Sequence, residues 1–221
     1  MGKHVDNLPN YSKNNELMNS ISHLVGFVFS IVTIILFVIK QNRLGMNFST
    51  MYPFYIYSTT MMIMFLVSTL YHASPLKSKT KAVFRLIDHS DIYLFVAGTY
   101  TPICLFGIQN FNIALALIII EWSLALIGII LTNINLHNKA ISIITYVIYL
   151  IGGWVIIFFY PFNLGINFLS FLFILIGGIV YTVGAIFYAI GNKKFIYLHS
   201  VFHVFVLLAA VLQFIGVWYL I

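Results

Sequence analysis

Seven apolar stretches, each close to the ~20 residues a helix needs to cross a bilayer, constrain this chain more than any other feature. They fall near 17–39, 50–71, 86–106, 112–132, 140–160, 166–189 and 198–220, joined by short polar segments. Backbone polar groups in lipid must be satisfied within the segment or around a closed barrel. The stretches lack the ten-residue alternation of barrel strands, so they read as helices. Composition agrees. Of 221 residues, 62% are hydrophobic and only 7% charged, against roughly a quarter charged in a soluble domain. The expected fold is all-α, one membrane bundle of seven transmembrane helices over 16–221.

Residues 1–15, "MGKHVDNLPNYSKNN", are polar and lack the apolar run of a signal peptide. They read as a mobile tail. The initial Met-Gly does not make a myristoylation site, because position 6 is Asp6 rather than Ser or Thr. With one cysteine, Cys104, no internal disulfide can form.

Basic residues set the expected orientation. With the N-terminus inside, the cytoplasmic segments hold Lys3, Lys13, Lys77, Lys79, Lys81, Arg85, Lys139, Lys193 and Lys194. The outer segments hold only Lys40 and Arg43. The N-terminus is therefore expected in the cytoplasm and the C-terminus outside. The net charge of +6 reads as a topology signal with some attraction to anionic lipid. Its scatter over short loops gives no nucleic-acid-binding surface.

Within the apolar stretches the few ionisable residues carry the functional information. The first begins "ELMNSISHLVG", with Glu16, Asn19 and His23. The second ends "VSTLYHAS", with Ser68 and His72. The third begins "RLIDHSDIYLFVAGTYTP", with Asp88, His89 and Asp91, and the seventh begins "YLHSVFHVF", with His199 and His203. Alternating direction brings all four clusters to the cytoplasmic face.

His199 and His203 are four apart and share a helix face, as do Ser68 and His72. Two imidazoles at that spacing can close on one metal. His72 adds a third nitrogen, and three histidines with one position left for water is a catalytic zinc arrangement. Asp88 and Ser68 are placed to hold that water, with Asp88 as general base. Each histidine has a plainer reading as an interhelical hydrogen bond, and Asp88 has Arg85 three residues earlier. Glu16 and His23, seven apart, share a face and can pair across helices; His89 points away from Asp88. Glu121, in mid-membrane, reads first as a structural hydrogen bond and second as a proton-linked group. His4 and His137 read as solvent-exposed. Gly152, Gly153, Gly177, Gly178 and Gly184 are expected at close helix contacts.

The stretches "ELMNSISHLVG" (16–26), "STLYH" (68–72), "LIDHSDIYLFVAGTYTP" (86–102) and "HSVFH" (199–203) resemble the hemolysin III family, the bacterial branch of the progestin and adipoQ receptor group. The resemblance spans nearly the whole chain. It implies a seven-helix bundle in the bacterial plasma membrane, with cytoplasmic N-terminus and zinc near the cytoplasmic face. The family's zinc histidines fall on His72, His199 and His203, and its water-holding pair on Asp88 and Ser68. The wider group includes alkaline ceramidases, so the resemblance implies lipid amide or ester hydrolysis. The alternative is a membrane-lysing, pore-forming or receptor-like protein with structural zinc. Position 91 departs from the pattern, which expects a small residue such as Ala; Asp91 there widens the polar site.

Overall fold

The computed structural model describes residues 8–9, 11–135, 138–159, 165–191 and 197–221. Lys3, His4, Asp6, His137, Lys193 and Lys194 lie outside them. Among the described residues there are seven helices and no sheet: α1 Lys13–Leu44, α2 Phe48–Ala73, α3 Lys79–Gly107, α4 Phe111–Asn135, α5 Lys139–Phe159, α6 Phe168–Ile190 and α7 Leu198–Trp218. Five have the length and apolarity of a membrane span: α1, α2, α4, α6 and α7. Helix α5 is also apolar, and its apolar run is described over Ala140–Val155. The first half of α3 carries Lys79, Lys81, Arg85, Asp88 and Asp91, which dilute its hydropathy.

Helix ends follow side-chain caps more than apolarity. Ser12 accepts the backbone N–H of Asn15 and starts α1 at Lys13, ahead of the apolar run. Ser78 caps α3 through the N–H of Lys81, so α3 begins seven residues before the expected boundary at 86. Asn47 and Asn167 cap α2 and α6 in the same way. Gly45 closes α1 in the left-handed region at φ 62°, a conformation glycine adopts without steric cost.

In the bundle α1, α2, α3 and α4 pack in sequence, α7 lies against α6, and α1 closes on α7. Helix α5 leans on α4 and touches α6 very little. The core is aromatic, with Phe37, Phe54, Tyr57, Phe65 and Phe95 fully or nearly buried. At the end remote from the four polar clusters, Lys40 Nζ donates to the carbonyls of Trp218 and Ile221, both at 2.6 Å.

Small residues set the α6–α7 distance. A Cβ at Gly177 would lie 2.7 Å from Gln213 Cγ, and one at Gly184 would lie 2.9 Å from Phe205 Cβ. Ser170 Oγ donates to the Gly216 carbonyl at 2.6 Å across the same seam. The expectation of close packing fails at Gly153, where a Cβ would meet nothing within 4 Å. Its carbonyl instead accepts the hydroxyl of Tyr100 at 3.1 Å. At Gly178 the nearest atom would be Trp154 at 3.9 Å, ordinary contact.

Candidate metal centre

The polar ends of α1, α2, α3 and α7 meet at one end of the bundle. His72 closes the last turn of α2, and His199 and His203 face it from the first turns of α7. Their ring centroids lie 5.4 Å (His72–His199), 4.7 Å (His72–His203) and 4.6 Å (His199–His203) apart. One ligand atom from each lies within 4.8 Å of the others, so the three can hold a metal ion. Nε2 of His199 and Nε2 of His203 stand 3.0 Å apart.

Outer partners decide which nitrogen each ring presents. His72 Nδ1 lies 2.7 Å from Glu16 Oε2 and 3.5 Å from Asn19 Nδ2. With Nδ1–H donating to the carboxylate, the ring turns its Nε2 lone pair to the cluster. That Nε2 is buried without a partner among the described residues. His203 Nδ1 pairs with His23 Nε2, leaving its own Nε2 for the cluster. Such outer-partner hydrogen bonds fix tautomer and ring direction at metal sites. A neutral three-imidazole set with a buried, unpartnered nitrogen fits a divalent metal that takes nitrogen ligands.

Glu16 is itself held. Lys81 Nζ lies 2.9 Å from Glu16 Oε1 and donates to the Tyr71 carbonyl at 2.9 Å. At 0% exposure Lys81 is a buried ion-pair residue, not the free surface charge expected of it. Above the cluster the Tyr11 ring stacks on His199, with centroids 4.8 Å apart and planes 15° from parallel. Burial pushes the Tyr11 phenol pKa up to about 12. Tyr11 is therefore neutral near pH 7 and offers no phenolate.

Ser68, one turn before His72, is 1% exposed, and its hydroxyl lies beside the Asp88 carboxylate. Asp88 stands with Ser68 on the wall of a cavity of about 340 Å³ that His23, His199 and His203 also line. The partner found for Asp88 is the neighbouring His89, whose Nδ1 lies 3.5 Å from Oδ2. The expectation that His89 points away from Asp88 is thus corrected. A ring one residue further along can bend back where both side chains face the same cavity, and both line it.

The paired histidines and His72 come together as the spacing suggested, and Ser68 and Asp88 lie on the adjoining cavity. Glu16 and His23 do pair across helices, as their shared face suggested, but sequence reasoning named neither partner. The signal was present, since Glu16, Asn19 and His23 recur every three to four residues on one face of α1. Glu121 lies outside this cluster. It is 2% exposed, its Oε1 has no partner among the described residues, and its Oε2 faces the Cα of Gly152 on α5.

An all-helical bundle with several membrane spans and a buried three-histidine centre at one end defines a multi-pass membrane protein with a candidate metal site. The family described as "Haemolysin-III related" matches residues 11–214. "Hemolysin-3 homolog" of Bacillus subtilis (strain 168) is 37% identical over 193 residues, 87% of this chain and 87% of its own length. "Hemolysin-3" of Bacillus cereus is 35% identical over 200 residues, 90% of this chain and 88% of its own length. The chain belongs to the haemolysin-III family, and it is a multi-pass protein of the cell membrane.

Proposed function

We propose that this protein is a zinc-dependent membrane hydrolase acting on a lipid amide or ester. The observation that carries the reading is the cavity of about 340 Å³ running from the histidine cluster into the apolar interior between α3, α5, α6 and α7. Its wall is mostly apolar, with a few polar groups among which are the histidines and Asp88, which suits a ligand with a polar head and an acyl chain. The weak contact between α5 and α6 supplies a side through which a chain enters from lipid.

His72, His199 and His203 would hold the metal through Nε2, with Glu16 and His23 orienting two of the rings. Bound zinc supplies Lewis acidity toward a carbonyl oxygen and lowers the pKa of water. Asp88 takes the proton from the attacking water, and Ser68 Oγ, beside Asp88, orients that water. All seven helices cross the membrane in this reading, and the excess of basic residues puts the N-terminus and the metal centre at the cytoplasmic face.

The deciding measurement is metal content of gently purified protein. About one zinc per chain is expected in the wild type, and loss of it in a His199→Ala/His203→Ala double variant. Wild-type protein purified free of zinc would overturn the reading.

The relatives' names favour a second reading, membrane lysis with a structural metal. The ionisable residues cluster at one end of the bundle, which opposes a wide channel through a single molecule. Dye leakage from liposomes that survives loss of the three histidines would favour lysis over hydrolysis.

A further inference from the structure

The cavity holds one carboxyl group that the proposed chemistry does not use. Asp91 lies one turn beyond Asp88 on the same face of α3, and both line the cavity. Asp91 is 2% exposed, yet neither Oδ1 nor Oδ2 has a hydrogen-bond partner among the described residues. Buried polar groups are nearly always bonded, and an unfilled acceptor costs on the order of 1–3 kcal/mol. A carboxyl group with both oxygens unfilled is among the most demanding acceptors a side chain can present. No hydrogen bond from a neighbouring helix to Asp91 is found among the described residues. The same cavity is lined by the hydroxyl-bearing Thr132 of α4 and Thr145 of α5. Met64, Leu150 and Val206 add apolar surface to its wall.

We propose that Asp91 is a specificity-determining residue that accepts a hydrogen bond from the N–H of a ligand's head group, so that the cavity selects an acyl amide over the matching ester. The two differ at one atom beside the carbonyl. The amide offers a donor there and the ester does not, and a carboxyl group accepts that N–H through its carbonyl oxygen whether or not it carries a proton. The acyl chain of either ligand occupies the same apolar space, so the chain contributes equally to both. This inference rests on the hydrolase reading for which ligands matter, but Asp91 acts in binding and its test needs no turnover.

The test is binding of N-methylhexadecanamide and methyl hexadecanoate to the full chain in nanodiscs, by displacement of a fluorescent fatty acid, with empty nanodiscs subtracted. The expected result is a preference for the amide of about tenfold, the size of one good buried hydrogen bond. In Asp91→Ala the ratio should fall to near one with ester affinity unchanged, and Asp91→Asn, which keeps one acceptor oxygen, should fall between. Equal binding of the two ligands by the wild type overturns the proposal, even if neither variant folds. A variant that melts at lower temperature but keeps the full amide preference also overturns it, because Asp91 is then only structural. Amide preference without any hydrolysis leaves this proposal standing and removes the hydrolase reading. Hydrolysis with no amide preference does the reverse.

Discussion

Nδ1 of His72 lies 2.7 Å from Oε2 of Glu16, a contact between the first turn of α1 and the last turn of α2. The carboxylate accepts the hydrogen bond of Nδ1–H and leaves the Nε2 lone pair for the cluster. Glu16→Gln keeps the shape and weakens the acceptor. Loss of such an outer partner lowers metal affinity by about 10- to 100-fold. Chelator competition on the purified variant measures it, and wild-type affinity would show that Glu16 does not orient the ring.

Lys81 is the counter-charge that makes a buried Glu16 tolerable. Its Nζ binds Glu16 Oε1 and the Tyr71 carbonyl and sits 4.5 Å above the Tyr71 ring. Removing one partner of a buried pair leaves an uncompensated charge and costs ~3–5 kcal/mol. Lys81→Met should therefore lower the melting temperature sharply. Adding Glu16→Gln to it should restore much of the loss, because the orphaned charge is then gone. A double variant no more stable than Lys81→Met would show that the two side chains do not act as a pair.

Lys81 also shows where the sequence was legible and where it was not. Apolar runs of membrane length placed all seven helices, since lipid leaves the backbone no other way to bond. Imidazole spacing and alternating direction brought His72, His199 and His203 together. The same charge-counting logic treated Lys81 as a loop charge, and nothing in one dimension shows that α1 lays Glu16 against it. Helix starts were missed for a related reason. Ser12 and Ser78 cap helices whose first turns are polar, so hydropathy places α3 too late. His23 and Glu16 were visible as a face of α1 without a partner. Their roles depend on how α1 sits against α2 and α7, which is set by packing over the whole length of the bundle.

That packing is tight at Gly26. A Cβ there would collide with the ring of Phe65, a fully buried core residue on α2. Gly26→Ala should destabilise the protein by ~1–3 kcal/mol through overpacking. Phe65→Leu in the same chain should recover part of the loss, since the shorter side chain yields the space. Thermal melts of the two singles and the double, read as a double-mutant cycle, test the coupling. Simple additivity would show that α1 moves away instead.

The stacking of Tyr11 on His199 predicts a role in shielding the metal centre. The ring covers His199, while burial holds the phenol neutral with its pKa pushed up from 10.0 to about 12. The ring should matter and the hydroxyl should not. Tyr11→Ala is expected to speed metal loss to an excess of chelator by on the order of tenfold, because the shell around a site controls solvent access. Tyr11→Phe should match the wild type. The raised pKa also fixes a pH dependence. The neutral phenol is favoured by folding, so its contribution to stability is present at pH 7 and falls as pH rises from about 10 through about 12. The difference in tyrosinate absorbance between the wild type and Tyr11→Phe should accordingly appear near pH 12 and not near pH 10. Equal chelation rates for wild type and Tyr11→Ala would mean that the ring is not the barrier that protects the cluster.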